Sequence, residues 1–480
     1  MRVLLINLPY YRLMRIKHRY FPVGLGYISA ICRSRGYDVM IYNMEKYGRE
    51  RICRHTLLMK DRESHYPLYI KAVHNDEHYI WNELNKVLDN FNPDVVGVSI
   101  WTTVYPLAKK LSRLIKKWKD NAVLVAGGIH ATVCDEDIIQ NSSFDFVVRG
   151  EGEYTFLELL DCITKGNAGI DKIKGITYKD NGVIKRNPPR ELINDINSLP
   201  FPDKKSLVNP SLYTERDFGC IVTSRGCPYL CSFCGSHNIW GRHVRMRDIQ
   251  SVFEEIKELY KERRVTFFTF FDDTFTLDRK RIFQLCDCIE KSNMHINWFA
   301  SGRVDNMDEN YVDKLKKGRC FVMQFGVESG SQKLLDKLNK GIELKKVLFV
   351  RDIFKKKKIL FWATFLMGHP QETESSLEDT YEFIKKLHPD IINVNVFIPY
   401  PGSKDWDSLF NGTKRIEWEL FSPQSPYAKF NDIEDSRWRY WRRRIELLAD
   451  KFNRRTQNSI GWFSKLYVPK FIRAVKVFRW

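Results

Sequence analysis

Two long runs of alternating strand-like and helix-like segments constrain this chain more than any other feature of its sequence. The first run covers residues 1–187, and the second begins at Cys220. Alternation of this kind predicts parallel sheets covered by helices, because a chain can return to pair in parallel only through a crossover connection. We therefore expect an α/β fold, with ligands bound at the carboxyl ends of the strands.

The first run predicts a doubly wound parallel sheet, a Rossmann-type domain over residues 1–187. A hairpin is indicated by Asp180-Asn181-Gly182, which separates Ile176–Lys179 from Val183–Arg186. The Pro- and Asn-rich residues 188–217 are predicted to be a linker. The parallel strands are predicted at Arg2–Leu8, Asp38–Tyr42, Asp94–Ile100, Ala122–Ala126 and Phe144–Val148.

The second run predicts a partial barrel over residues 218–405. It contains six strand–helix units with short connections, too few to close an eight-stranded barrel. Residues 406–480 differ in character, because they are basic and rich in aromatic side chains, and they are predicted to form a helical extension. The six strands are predicted at Cys220–Ser224, Val265–Phe271, Ile296–Ala300, Phe321–Val327, Ile359–Met367 and Ile391–Ile398.

The composition excludes several classes of protein. A hydrophobic content of 43% is incompatible with a disordered or low-complexity chain. The apolar runs are of strand length and fall short of the ~20 residues that a membrane-spanning helix needs. The N-terminal run ends at Pro9 and is interpreted as a first strand, not as a signal peptide. Three of the 11 cysteines cluster and the others are scattered, which predicts a cytoplasmic protein with a metal or redox site.

The clustered cysteines, Cys227-Pro-Tyr-Leu-Cys231-Ser-Phe-Cys234, directly follow the first strand of the second run. Three thiolates on one tight loop can bind three irons of a 4Fe–4S cluster and leave the fourth iron open to a small molecule. The alternative is a zinc site of the Cys3His type, completed by His237. Structural zinc sites usually lie in small modules, so a position at a barrel strand end favours the cluster.

The triplet and the strand ends around it resemble the radical S-adenosylmethionine (SAM) superfamily, and in particular its cobalamin-binding branch. The resemblance covers about residues 1–405. In the second run it rests on Phe271-Asp272-Asp273, Ser301-Gly302-Arg303, Gly326-Val327-Glu328-Ser329-Gly330, Gly368-His369-Pro370-Gln371-Glu372-Thr373 and Pro399-Tyr400-Pro401-Gly402-Ser403. In the first run it rests on Gly24-Leu25-Gly26-Tyr27, Gly127-Gly128-Ile129-His130 and Gly150-Glu151-Gly152-Glu153.

This resemblance implies a mechanism and a set of site residues. The three cysteines would hold the cluster, whose open iron binds SAM and whose reduction splits SAM to a 5′-deoxyadenosyl radical. The protein would mainly position SAM and substrate and exclude water. Glu328 is expected near the SAM ribose or amino group, and Arg303 near its carboxylate. Ser301 is expected at the same face, and the turn at Gly368 would let the backbone approach the adenine.

The resemblance also implies cobalamin, with Ser99, Gly127 and Gly128 at its site. The Asp-x-His-x-x-Gly motif that supplies a lower His ligand in many cobalamin proteins is absent. Asp76-Glu77-His78 matches only its first half, and the loop after the first strand holds only His18. We therefore expect cobalamin without a His ligand. The alternative is a first domain that keeps the fold and binds no cobalamin.

The leading prediction is a cobalamin-dependent radical SAM methyltransferase that acts on an unactivated carbon of a small-molecule or lipid-like substrate. A radical SAM cyclase, oxidase or rearrangement enzyme has the same domains and remains an alternative, and a carrier of cobalamin or metal is a non-catalytic one. A methylthiotransferase is disfavoured because the first run lacks a second cysteine triplet. Trp298 and Phe299 hint at an apolar or planar substrate group. A reductant such as a flavodoxin or ferredoxin is the expected protein partner.

The basic extension predicts a further interaction. Arg437–Arg444 interleaves arginines with aromatic residues, and Pro469–Trp480 has the pattern of an amphipathic helix with cations opposite its apolar face. Such a helix suits an anionic membrane surface, which would make the protein peripheral to the membrane. The alternative is a helix docked on the barrel. Nucleic acid is disfavoured, since no RNA-binding module follows the barrel.

Overall fold

The computed structural model describes residues 1–15, 20–46, 59–411, 413 and 416–467, with the backbone alone at 59–64 and 457–467. His18 and the predicted interfacial helix Pro469–Trp480 lie outside the described residues. The predicted α/β class is confirmed, with one sheet in each of the two runs of alternation. Among the described helices, none is both long and apolar enough to cross a membrane.

The first sheet has seven strands in the order β2-β1-β3-β4-β5-β6-β7, parallel from β2 to β5 and antiparallel in the hairpin that follows. These strands are β1 (Arg2–Asn7), β2 (Asp38–Asn43), β3 (Val95–Ser99), β4 (Val123–Gly127), β5 (Phe146–Val148), β6 (Ile176–Asp180) and β7 (Val183–Arg186). The helices are α1 (Tyr10–Leu13), α2 (Val23–Ser34), α3 (Met59–His74), α4 (Tyr79–Phe91), α5 (Tyr105–Trp118), α6 (Ile129–Val133), α7 (Asp135–Asn141) and α8 (Gly152–Thr164).

Helices cover both faces of this sheet, as the doubly wound prediction requires. One face packs on α2 and α8, and the other packs on α3, α4 and α5. The strands run as nearly continuous apolar segments because both of their faces are buried. The strand order reverses between β1 and β3, and the carboxyl ends of the strands at such a switch point form a ligand crevice.

The second sheet has six parallel strands in the order β15-β14-β13-β12-β11-β8, which confirms the open, partial barrel. The strands of this half are β8 (Cys220–Ile221), β9 (Ser224–Arg225), β10 (Arg245–Met246), β11 (Phe267–Phe270), β12 (Asn297–Gly302), β13 (Cys320–Glu328), β14 (Leu360–Met367) and β15 (Ile391–Val396). The helices are α9 (His237–Trp240), α10 (Ile249–Arg263), α11 (Arg279–Lys291), α12 (Glu309–Lys317), α13 (Gln332–Lys337), α14 (Leu344–Lys357), α15 (Glu374–Leu387), α16 (Lys404–Phe410) and α17 (Asp435–Tyr467).

The predicted strand Cys220–Ser224 is divided in the structure. Only β8 joins the parallel sheet, and the chain then turns so that β9 pairs antiparallel with β10. The cause is Asp272, a buried carboxylate that accepts hydrogen bonds from the Thr223 amide at 2.7 Å and from the Ser224 hydroxyl at 2.6 Å. Asp272 therefore fixes the chain just before the cysteine triplet.

Residues 188–217, predicted as a linker, pack on both halves of the molecule. Leu207 forms a parallel bridge with Ile41, which extends the outer edge of the first sheet beyond β2. Lys204 is buried and pairs with Glu255 of α10 at 3.1 Å. This segment therefore fixes the two sheets relative to each other instead of separating them. The domain boundaries themselves stay predictions.

The C-terminal helix α17 covers the exposed edge of the second sheet. The side-chain amide of Asn453 donates to the Ile392 carbonyl at 2.8 Å and accepts from the Ile392 amide at 2.9 Å, as a further strand would. Trp438 and Trp441, within the Arg437–Arg444 segment, are buried against the barrel. Their aromatic rings are therefore part of the core and are not available as a platform for bases.

Candidate active site

The three cysteines lie on one half-buried loop between β9 and α9, at the carboxyl end of the second sheet. Burial raises the pKa of the Cys231 thiol and raises that of Cys234 to about 11. Iron binding would reverse this effect, because a metal ion deprotonates a coordinating thiol. In the part of the chain that the structure describes, no three His, Cys, Asp or Glu side chains converge on a single-ion site. Neither a Cys3His zinc site with His237 nor any other single-ion site is therefore assembled in those residues.

Polar and cationic groups surround this cysteine loop. The Thr274 hydroxyl lies 3.4 Å from the Cys227 thiol, and the Ser236 hydroxyl donates to Asp273 at 2.9 Å. The Arg303 guanidinium stacks 3.7 Å from the centre of the Tyr229 ring, within the loop itself. Hydrogen bonds and cations beside thiolates stabilise their negative charge. The surroundings therefore fit an anionic iron–sulfur cluster.

Glu328 and Arg303 both contact one loop, residues 338–341, which follows α13. Glu328 ends β13 with a positive φ of 66° at a register shift, and its carboxylate pairs with the Lys340 ammonium at 2.7 Å. Arg303 donates to the Lys340 carbonyl at 2.6 Å. The same loop contacts the cysteine loop, because the Asn339 amide donates to the Leu230 carbonyl at 2.8 Å. Sequence reasoning missed Lys340, which lies among many lysines of ordinary appearance.

The turn after β14 is built around Gly368. Its φ is +92°, and a Cβ there would lie 3.1 Å from the Trp438 ring, so a larger residue would displace α17. The Gly368 amide donates to the buried Glu372 carboxylate at 2.6 Å. His369 and Ser232 both contact Asp405, at 2.9 and 3.0 Å, which ties this turn to the cysteine loop.

A cavity of about 260 Å³ lies at the carboxyl ends of β3, β4 and β5. Ser99, Gly127 and Gly128 all line it, so the structure brings these three predicted residues together. Gly128 has a φ of +99°, and a Cβ there would lie 2.7 Å from the Ile100 carbonyl oxygen. Backbone without side chains thus forms part of its wall, as a close-fitting organic ligand requires. We call this space the first-sheet cavity.

A buried network of charges joins the first-sheet cavity to the second half of the chain. Glu151 lies at the cavity wall, and its carboxylate accepts hydrogen bonds from Arg225 and from Arg245, each at 2.6 Å. The Glu153 carboxylate accepts a hydrogen bond from Arg225 at 2.5 Å. The Ile193 amide adds a hydrogen bond to Glu151 at 2.7 Å. The two glutamates of the Gly150-Glu151-Gly152-Glu153 motif therefore bind the arginines on either side of the cysteine loop.

Asp76-Glu77-His78, the partial match to the lower-ligand motif, has a structural role. The His78 ring accepts from the Ile80 amide at 3.4 Å and caps the N-terminus of α4. Asp76 pairs with Lys110 of α5. These residues follow α3 and are not on the loop after β1, so they are not placed to act as a lower ligand of a cofactor in the first-sheet cavity.

Two family models match separate parts of the chain. The model of the radical SAM superfamily matches residues 221–384, and the model of the B12 binding domain matches residues 74–160. An uncharacterized methyltransferase of Pyrococcus horikoshii, PH0819, is 32% identical over 372 residues, which cover 77% of this chain and 80% of that protein. The chain belongs to the cobalamin-binding branch of the radical SAM superfamily.

Other members of the superfamily match less strongly. The anaerobic magnesium-protoporphyrin IX monomethyl ester cyclase of Rubrivivax gelatinosus is 27% identical, and the match covers 75% of this chain and 66% of the cyclase. The structure of the radical SAM methyltransferase TsrM from Kitasatospora setae superposes on this chain with a TM-score of 0.64 and 18% sequence identity. The superposition covers 84% of this chain and 75% of TsrM, which shows that the two have a common fold. Membership implies a 4Fe–4S cluster, SAM and cobalamin as cofactors.

Apart from Glu328 at the end of β13, the inner face of the radical SAM barrel is uncharged along β12–β15. Side chains that point outward are fully buried under helices, whereas those that point inward stay partly exposed. The Gln324 amide donates to the Thr364 hydroxyl at 2.8 Å, and the Ser301 hydroxyl lies 3.4 Å from the Gln324 oxygen. Phe299 packs beside Trp362 on this face, with 5.5 Å between ring centres. Trp298 points outward and donates to the Gly318 carbonyl, so of the two predicted aromatic residues only Phe299 faces the interior.

The Glu372 carboxylate makes the turn after Gly368 sensitive to pH. Burial raises its pKa from 4.5 to about 8. Folding therefore takes up a proton between these values, so the contribution of this group to stability is full below pH 4.5 and declines as the pH rises towards 8. Between about pH 5 and 8, the unfolding free energy of the wild type should fall relative to that of Glu372→Gln, by on the order of 2–4 kcal/mol. Urea unfolding at several pH values measures this, and a difference independent of pH would contradict it.

Proposed function

We propose that this radical SAM enzyme is a cobalamin-dependent methyltransferase that acts on an unactivated carbon of a small-molecule substrate. The observation that carries the proposal is the position of the cysteine loop, between the residues predicted to hold SAM and the first-sheet cavity predicted to hold cobalamin. When bound, the cluster supplies the electron that cleaves SAM, and cobalamin supplies the methyl group. The methyltransferase PH0819, which shares the most sequence among the relatives described above, supports methyl transfer.

Within this proposal the chain mainly binds and orients its cofactors. Cys227, Cys231 and Cys234 hold the cluster. Glu328 and Arg303 lie beside the cysteine loop, and each contacts Lys340. Arg303 also pairs with Asp305 at 2.7 Å, so these side chains would present both signs of charge to the polar end of SAM. Gly368 leaves room for the backbone to approach the adenine. Fixing these groups before the reaction is the contribution expected of a protein whose cofactors carry the chemistry.

The barrel interior supports an uncharged substrate group. Gln324, Ser301 and Thr364 offer neutral hydrogen-bonding groups there, and Phe299 with Trp362 offers a flat apolar surface. Away from the Glu328–Lys340 pair, an ionised group would lose its hydration in this interior without gaining a counter-ion. We therefore propose a small molecule that presents a neutral and at least partly planar portion to the barrel.

Reconstitution of the full-length protein tests the assignment. After anaerobic treatment with iron, sulfide and hydroxocobalamin, one chain should retain a 4Fe–4S cluster and cobalamin together, and it should convert SAM to 5′-deoxyadenosine when reduced. The Rubrivivax cyclase supports a second candidate, a ring-forming or oxidative radical SAM reaction with the same cofactors. Retention of cobalamin without any cleavage of SAM would instead indicate a carrier.

Bound cobalamin should lack a nitrogen ligand from the protein. His78 caps α4, and His18, outside the described residues, is the one His on the loop after β1. We expect the electron paramagnetic resonance spectrum of cob(II)alamin on the wild type to show no splitting from a protein nitrogen, which 15N labelling of the protein would reveal. We expect His18→Ala to leave binding and spectrum unchanged. A nitrogen splitting that disappears in His18→Ala would overturn this expectation.

The remaining partners are proposals that rest on sequence. A reductant such as a flavodoxin or ferredoxin would supply the electron, and we propose a cytoplasmic protein peripheral to the membrane.

Vesicle sedimentation tests the membrane proposal. If Pro469–Trp480 binds anionic lipid, the full-length protein should sediment with phosphatidylglycerol vesicles at low salt and not at high salt, since each basic residue near the surface contributes about 1 kcal/mol. Deletion of Gly461–Trp480 should abolish sedimentation and leave the iron content unchanged. Full-length protein that never sediments would exclude the membrane, and we assign no role in nucleic acid binding.

A further inference from the structure

The cysteine loop is attached at both of its ends to the wall of the first-sheet cavity. Before the loop, Arg225 lies two residues from Cys227 and pairs with Glu151 and Glu153, which both line the cavity. After the loop, Ile239 and Trp240 of α9 line the same cavity from its other side. The segment that carries the cluster ligands is therefore joined to the wall of the first-sheet cavity before the loop, and it contributes to that wall after the loop.

Arg225 also contacts the far end of the loop. Its guanidinium lies 5.3 Å from the centre of the Trp240 ring and 5.3 Å from that of Tyr27, which lies on α2. Arg225, Glu151 and Glu153 are all buried. A buried cation held by two carboxylates and stacked on an aromatic ring has one well-defined position, because any other leaves charge unpaired.

The short helix α9 is fixed by the radical SAM half as well. The Asn238 amide donates to the Gly402 carbonyl at 2.6 Å and to the Gly235 carbonyl at 3.2 Å. Gly235 directly follows Cys234. When α9 is docked, the last cysteine and the cavity wall are therefore fixed by the same contacts.

We infer that Arg225 and Trp240 are positioning residues that couple the two cofactor sites, so that cobalamin in the first-sheet cavity and an ordered cysteine loop stabilise each other. The inference rests on the proposed function, which places cobalamin in this cavity. A ligand that fills the cavity contacts Trp240 only when α9 is docked, so binding shifts the loop towards its docked state. The reverse holds by linkage, since a cluster that fixes the cysteines also completes the cavity wall.

Iron loss from the full-length reconstituted protein tests the coupling. We expect hydroxocobalamin to slow transfer of iron to a chelator by about fivefold or more, the lower end of usual coupling between sites. Reciprocally, the cluster-bearing protein should bind hydroxocobalamin more tightly than protein in which all three cysteines are alanine. Absorbance titration measures the second quantity, and neither readout depends on turnover.

Three variants separate coupling from simple destabilisation. Trp240→Ala should make the iron-loss rate independent of cobalamin, whereas Trp240→Phe, which keeps a ring in the wall, should retain most of the protection. Trp118→Ala, on α5 and away from the cavity lining, should behave as the wild type. If Trp240→Ala does not fold, the iron-loss and titration measurements still decide whether the two sites are coupled, and Trp240→Phe still tests the ring.

The outcomes distinguish this inference from the proposed function. Stoichiometric cobalamin on the wild type with an unchanged rate of iron loss would overturn the coupling and leave the proposed function standing. A wild type that binds no cobalamin would overturn both. Protection that persists in Trp240→Ala would show that the coupling, although present, does not run through α9, and would overturn the role given to Trp240.

Discussion

Replacing Cys227, Cys231 and Cys234 together by alanine should abolish cleavage of SAM and remove the brown chromophore of the reconstituted protein. The three side chains are on one short loop, and the remaining cysteines of the described residues lie outside it. Without thiolates there is nothing to hold the irons, and a cluster without its open iron cannot bind SAM. The loss should therefore be complete. The measurements are the iron and sulfide content and the yield of 5′-deoxyadenosine under reducing, anaerobic conditions.

Replacement of cysteines outside the loop provides the matched control. Cys286 is buried in α11 and Cys288 lies on the same helix, away from the cysteine loop. Cys288→Ala should keep the full iron content and the full yield of 5′-deoxyadenosine. Tightly bound zinc with no iron in the wild type would contradict the cluster, as would a triple variant that still cleaves SAM.

Glu151→Ala should cause the largest loss of stability among single substitutions in the contact between the two halves of the chain. Its carboxylate is held by Arg225, Arg245 and the Ile193 amide, and all of these groups are buried. Removing it leaves Arg245 without its carboxylate partner, and a buried charge that loses its partner costs about 3–5 kcal/mol. Urea unfolding of the full chain, followed by circular dichroism, measures this difference.

Glu191 offers a matched control for this substitution. It pairs with Lys174 at 2.6 Å, but the side chains are 73% and 49% exposed. Water screens an exposed pair of this kind, so Glu191→Ala should unfold close to the wild type. Equal midpoints for Glu151→Ala and Glu191→Ala would contradict the role given to the buried network.

The sequence predicts the strands well because their pattern is local. Strands such as β14 and β15 follow from runs of aliphatic and aromatic residues bounded by turns, and the structure confirms them within one or two residues. The one strand that divides, Cys220–Ser224, does so because of Asp272, which is far away in the chain. A pattern read along the chain contains no information about such a tertiary hydrogen bond.

The site was predictable to the extent that its chemistry lies in compact motifs. The cysteine triplet and the strand-end glycines carry their own signature, and Ser99, Gly127 and Gly128 share one cavity as their order implied. Lys340, which pairs with Glu328, has no such signature among its neighbouring lysines. Phe299 faces the interior and Trp298 faces outward. Which of the two faces the interior depends on the strand register, which the sequence does not specify.

The partition of SAM between two products tests the central claim most directly. The full-length protein, reconstituted anaerobically with cluster and cobalamin, is incubated with SAM and a reductant, and both 5′-deoxyadenosine and S-adenosylhomocysteine are quantified. A methyltransferase that uses cobalamin should form both products, and omission of cobalamin should eliminate S-adenosylhomocysteine alone. Formation of 5′-deoxyadenosine with no S-adenosylhomocysteine in the cobalamin-loaded protein would contradict methyl transfer and favour the cyclase type of reaction.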